Sequence, residues 1–129
     1  MPLIARLIFD AVKTMAIPEP EMRACLKAVG EFIEKIRPPL DIREDLDYRA
    51  EIKGSELVIA SVRPSFQDKR RKTEDPVAKA KWIGAEKVWR LYWMRADLKW
   101  HSYEPLPEAR SIDVLLNEVR RDPHGCFFG

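Results

Sequence analysis

The sequence predicts an α+β fold: an antiparallel sheet of about five strands with N-terminal helices and a C-terminal helix packed on one face. Three observations carry this. Apolar residues recur at helical spacing before Pro38 and again after Arg110; the period changes to two between Tyr48 and Tyr103. Four tryptophans, Trp82, Trp89, Trp93 and Trp100, fall in the last strand-like runs, and no other part of the chain contains any. A chain of 129 residues with 46% hydrophobic content is read as one domain. It buries roughly 65–70% of the surface its unfolded form exposes, enough to fold without staples.

The first segment sets Leu3, Ile4, Leu7, Ile8, Ala11, Val12 and Met15 on one helical face, with Arg6, Asp10, Lys13 and Thr14 opposite. Pro18 and Pro20 end it, so residues 1–18 are expected as an amphipathic helix preceding a single domain over 19–129. The second helix has Pro20 in its first turn, where a missing N–H costs nothing, and Glu21 at the positive end of its dipole. Met22, Cys25, Leu26, Val29, Phe32, Ile33 and Ile36 form its stripe, and Pro38-Pro39 stop it.

Tyr48, Ala50 and Ile52 alternate with Arg49, Glu51 and Lys53; Gly54-Ser55 then turns the chain into the run Leu57–Val62, a hairpin. Pro64 to Pro76 reads as a long charged loop. Further strands centre on Lys79–Ile83, Val88–Met94 and Lys99–Tyr103. Four-residue loops, Gly84–Lys87 and Arg95–Leu98, would keep the tryptophans in phase, with Trp82 facing Trp89 and Trp93 facing Trp100. All four indoles then share one side with Ala80 and Leu91. The other side carries Lys79, Lys81, Arg90, Tyr92, Lys99, His101 and Tyr103. Pro105 and Pro107 break the sheet, Ser111 caps a last helix with the stripe Ile112, Leu115, Leu116 and Val119, and the apolar tail His124–Gly129 is expected to dock.

The formal net charge is only +2, but residues 63–103 carry eleven Lys and Arg against five Asp and Glu. Two cysteines, Cys25 and Cys126, are too few for a disulfide scaffold and fit a reducing cytoplasm. No apolar run approaches a membrane span, and Arg6, Asp10 and Lys13 interrupt any signal-peptide core.

Arg37-Pro38-Pro39, the block Pro76–Ala80, the run Val88–Pro105 and the closing His124–Gly129 resemble a family of small bacterial proteins, domain of unknown function 3024. The resemblance runs from about Pro20 to the C-terminus. It implies a bacterial, cytoplasmic, stand-alone domain and brings no activity, cofactor or catalytic residue.

The basic, aromatic side reads two ways. Lys and Arg that neutralise phosphates beside aromatic stacking surfaces suit single-stranded nucleic acid, with the Lys69–Lys72 stretch folding over it. A solvated sheet face with cross-strand tyrosine packing has the same composition. The tryptophans read as core, with an aromatic cage for a cationic ligand as the alternative. Glu51-Ile52-Lys53 has the Glu-x-Lys spacing of metal-dependent nucleases, yet Asp41, Asp45 and Asp47 lie in a stretch that reads as loop. His124 and Cys126 offer two ligands, short of the four of a structural zinc site. No catalytic residue, metal or cofactor is assigned. The expected function is a nucleic-acid-binding module; the alternative is an interaction domain that dimerises through its first helix.

Overall fold

The computed structural model describes residues 16–129, and the helix expected before Pro18 lies outside the described residues. Helix α1 spans Glu19–Ile36, with Glu19 and Glu21 in its first turn and Lys35 in its last. Each charge opposes the helix dipole at its own end. Met22, Cys25, Val29, Phe32 and Ile33 are buried. Burial pushes the Cys25 thiol up to about 12, which makes it an inert core group. Both cysteines are free.

Arg37 leaves the helix in extended backbone, as a residue before proline must. Its Nε donates to Asp47 Oδ1 (2.9 Å) and its Nη2 to Oδ2 (2.8 Å), tying the helix end to the first strand. Burial raises the Asp47 carboxyl, but the Arg37 hydrogen bonds, the Tyr48 N–H and the Arg37 charge outweigh it and hold the group below its ordinary value. A depressed folded-state value contributes stability above the ordinary carboxylate range, and that stability is lost as pH falls through it. Asp47→Asn is therefore expected to cost about 1–2 kcal/mol at pH 7. In urea unfolding the gap to wild type should close toward pH 3; a gap independent of pH would contradict the ion-pair account.

Six strands follow: β1 Asp47–Lys53, β2 Glu56–Pro64, β3 Lys72–Ile83, β4 Val88–Met94, β5 Trp100–Ser102 and β6 Glu108–Ala109. They form one antiparallel sheet in the order β1-β2-β3-β4-β5, with β6 also paired to β4. Gly54, at φ 59°, sits at the first central position of the two-residue β1–β2 turn, which needs a left-handed residue there. β3 is longer than expected, because Lys72–Pro76, read as loop, pairs with β2 from Pro64 to Ala60. The register shifts between Ile59 and Ala60, leaving Val77 as the extra residue of a bulge. β4 pairs only from Lys79 onward, so Pro76 lies beside a bulge on a stretch without a second neighbour, where a missing N–H is tolerated.

The β3–β4 register is the expected one, with Trp82 opposite Trp89. The β4–β5 register is not. Met94 pairs with Trp100, Trp93 with His101 and Tyr92 with Ser102, a slip of one residue. The cause is the loop: Arg95 N–H donates to Lys99 O (3.2 Å), and Leu98 turns the chain at φ 61°. Three residues between Arg95 and Lys99, in place of the expected four between Met94 and Lys99, exchange the two faces of β5. Trp100 therefore joins the outer face and leaves the core, while Tyr103, expected outside, is fully buried.

Helix α2 spans Ile112–Arg121 and buries Ile112, Leu115, Leu116 and Val119. Ser111 holds the N-cap position, but its hydroxyl donates to Asp113 Oδ1 and accepts from no backbone N–H. Both helices lie on one side of the sheet, over Ala50, Ile52, Leu57, Ile59, Ala80, Trp82, Trp89 and Leu91. Tyr103 joins this core, and its hydroxyl donates to Glu118 Oε2 of α2 (2.7 Å). Asp122, left-handed at φ 43°, ends α2 and accepts from the N–H groups of Phe127 (3.1 Å) and Phe128 (2.8 Å). Phe127 packs against the Tyr103 ring with centres 4.9 Å apart and Phe128 meets Tyr48 edge-on at 5.7 Å, so the tail docks as expected. No helix among the described residues is long and apolar enough to cross a membrane.

Candidate interaction face of the sheet

With both helices on one side, the outward residues of β1 to β4 form a face that no described helix covers. Four of the expected site residues meet there: Lys79 lies opposite Tyr92, and Lys81 opposite Arg90. Lys79 Nζ sits 5.0 Å from the centre of the Tyr92 ring and 5.3 Å from that of Trp100. A cation held between two aromatic rings is the most organised feature of this face. The register slip brings Trp100 to it, a residue assigned from sequence to the core.

The other three do not join them. Lys99 is exposed in the β4–β5 loop. His101 pairs with Trp93, on the helix side, and its Nε2 lies 2.8 Å from Asp97 Oδ2. That hydrogen bond, followed by the Lys99 N–H, lowers the Asp97 carboxyl. Tyr103 is interior, and burial and then its bond to Glu118 drive its hydroxyl well above the ordinary tyrosine value. It takes no part in any surface.

Charge on the outer face is matched. Lys79 Nζ is 3.7 Å from Glu56, Arg90 contacts both Glu86 (2.6 Å) and Glu108 (3.6 Å), Arg49 meets Glu74 (3.1 Å) and Lys53 meets Glu51 (3.9 Å). Lys81 has no ion-pair partner among the described residues. The Lys69–Arg71 stretch stands in the β2–β3 loop, where Arg70 and Arg71 share Asp68, and Lys72 belongs to β3, its ammonium on Glu44 O (2.8 Å). Asp47, offered from sequence as a metal ligand beside Glu51, is committed to Arg37.

Between the charges lies a shallow cavity of about 210 Å³ bordered by Arg49, Glu51, Val58, Ala60, Glu74 and Pro76. The apolar part of it was missed in the sequence. The signal was present: Leu57–Ala60 is apolar at four successive positions, whereas a strand with one wet face alternates. Ala60 and Pro76, paired across the bulge, are the small side chains that leave the dent.

The fold and this face define a small α+β domain with two helices on one side of an antiparallel sheet and an open opposite side. A family model described as Domain of unknown function (DUF3024) matches residues 17–129, and the chain belongs to that family. No curated protein and no solved structure matches the chain.

Proposed function

We propose that this is a protein-interaction domain that receives an extended segment of a partner protein on its helix-free sheet face. The observation that carries the reading is the matching of charge: Lys79, Arg90, Arg49 and Lys53 already have carboxylate partners around an apolar dent. A phosphate chain would have to displace Glu56, Glu86 and Glu108 or lie against them. An apolar centre with a mixed-charge rim is the usual anatomy of a protein–protein contact. Tyr92, Trp100 and Arg90 are residue types that dominate such contacts.

The dent on β2 and Trp100 on β5 lie three strand spacings apart, ~14 Å, the length of about four extended residues. The segment that fits sets a bulky apolar side chain into the dent and its next apolar residue on Trp100, with Lys81 to one side of its path. Peptides selected from a random display library should show that spacing. Trp100→Ala is expected to weaken a selected peptide about 30-fold, the hot-spot range, and Lys81→Glu only several-fold. Ala60→Arg, which fills the dent, should abolish binding. Peptides indifferent to Ala60→Arg and Trp100→Ala would refute the reading.

Lys79 between Tyr92 and Trp100 is the one feature that favours single-stranded nucleic acid, since such a shelf can stack a base. On that reading a labelled oligonucleotide binds with a log K against log salt slope of about −0.7 per phosphate contact. The protein-interaction reading expects no binding even at low salt.

A further inference from the structure

The end of the β2–β3 hairpin stands clear of both neighbouring strands. β1 accompanies β2 only as far as Val62, and β4 accompanies β3 only from Lys79 onward. The stretch Arg63–Lys72 therefore has no strand on either side. Its base is tied to the turn before β1 by Lys72 Nζ, which donates to Glu44 O (2.8 Å).

The loop at this end is shaped by its own hydrogen bonds. Ser65 N–H donates across the neck to Arg71 O (2.8 Å), and Arg71 N–H donates to Asp68 O (3.0 Å). The Ser65 hydroxyl accepts from the N–H groups of Gln67 (3.3 Å) and Asp68 (3.4 Å), which turns the chain immediately after Phe66. Asp68 Oδ1 accepts from Arg70 N–H (3.0 Å). Phe66, held in this turn, is 103% exposed, more than any other large hydrophobic among the described residues.

Charge around that ring is one-sided. Arg63, Lys69, Arg70, Arg71 and Lys72 are all exposed, and Asp68 is the one acid within residues 63–72. Five cations less one acid leave a net +4, in contrast to the matched charge of the open face. Arg70 and Arg71 share the Asp68 carboxylate (3.3 and 3.9 Å), while Arg63 and Lys69 have no ion-pair partner among the described residues. The acids at the base are Glu74, held by Arg49 (3.1 Å), and Glu44, beside Lys72.

An uncovered aromatic ring on a fixed, cationic loop meets both demands of an anionic bilayer surface. The ring enters the boundary between headgroups and acyl chains, and the guanidinium and ammonium groups stay among the anionic headgroups. Shape selects this partner over a nucleic acid. A single strand is held in a groove with successive stacking rings, whereas this end projects, and Phe66 is the sole aromatic residue between Tyr48 and Trp82. A projecting tip suits a flat, deformable surface.

We infer that the β2–β3 loop is a contact for anionic membrane, with Phe66 inserted and Arg63, Lys69, Arg70 and Arg71 on lipid headgroups. This goes beyond the partner segment proposed for the helix-free face and does not rest on it. One ring and a few charges make the contact reversible.

The full chain should float with vesicles of mixed phosphatidylglycerol and phosphatidylcholine at low salt, but not with phosphatidylcholine alone, and added salt should release it. Lys69→Gln combined with Arg70→Gln removes two charges and should weaken the partition about 25-fold, at about fivefold for each. Phe66→Ser should weaken it about tenfold and leave thermal unfolding unchanged, because the ring covers no core. Trp100→Ala should not alter flotation, and Phe66→Ser should not alter binding of a selected peptide, so the two readings fail separately. Absence of flotation with the anionic vesicles overturns the inference. So does equal flotation with phosphatidylcholine alone, or flotation indifferent to either set of loop substitutions. A labelled oligonucleotide that binds through Phe66 while vesicles do not would assign the loop to nucleic acid instead.

Discussion

Trp89→Ala is expected to cost about 3–5 kcal/mol, a large part of the stability of a domain this size. Trp89 is 1% exposed, stands opposite Trp82 on the paired strand, and its ring lies 5.4 Å from that of Trp82. Removing it opens a cavity in the layer between the sheet and the helices, where Val29, Leu115 and Val119 are fully closed. The surrounding backbone is paired on both sides, to Trp82 of β3 and Ala109 of β6, and has little freedom to collapse into the gap. In thermal unfolding the loss should appear as a fall of roughly 10–20 °C in Tm. In urea the midpoint should move while the m-value holds, since the surface exposed on unfolding barely changes. A loss below ~1 kcal/mol would mean that this face is not the closed core.

That core was legible in the sequence where local signals and loop parity agreed. The stripe of α1, its proline and glutamates, and its Pro38-Pro39 stop all act within a few residues, and the helix forms where they indicate. Gly54 announces its turn because only a left-handed residue serves there. The Gly84–Lys87 loop has even length, so Trp82 and Trp89 come into phase.

What escaped reading depended on features with no local mark. Leu98 adopts φ 61° without being glycine, asparagine or aspartate, and nothing in Ala96-Asp97-Leu98 signals the odd-length loop. That single conformation reassigns Trp100, His101 and Tyr103 together. Pro76 conceals the first half of β3, because a proline argues against a strand until the bulge at Val77 is known. The charge bias of residues 63–103 was plain. Its neutralisation was not, since Lys79 meets Glu56 and Arg49 meets Glu74 only through cross-strand register.

Tyr103→Ala and Trp100→Ala together distinguish the two registers, because each register assigns the large loss to the other residue. In the structure Tyr103 is fully buried, packs on Phe127 and donates to Glu118, so its truncation should cost about 3–5 kcal/mol. Tyr103→Phe keeps the ring and removes only the hydroxyl. The half-exposed Glu118 can turn to water, so the expected loss is about 1–2 kcal/mol. Trp100 lies on the open face against Lys79, and its removal takes away partly solvated surface, so Trp100→Ala should cost no more than ~1 kcal/mol. The even-length loop reverses the order, with Tyr103 on the surface and Trp100 within. Urea unfolding of the three variants reads the difference directly. The same residues separate stability from recognition: Trp100→Ala should leave a well-folded protein that binds a selected peptide about 30-fold more weakly, whereas Tyr103→Phe should leave a weaker fold whose open face binds that peptide unchanged.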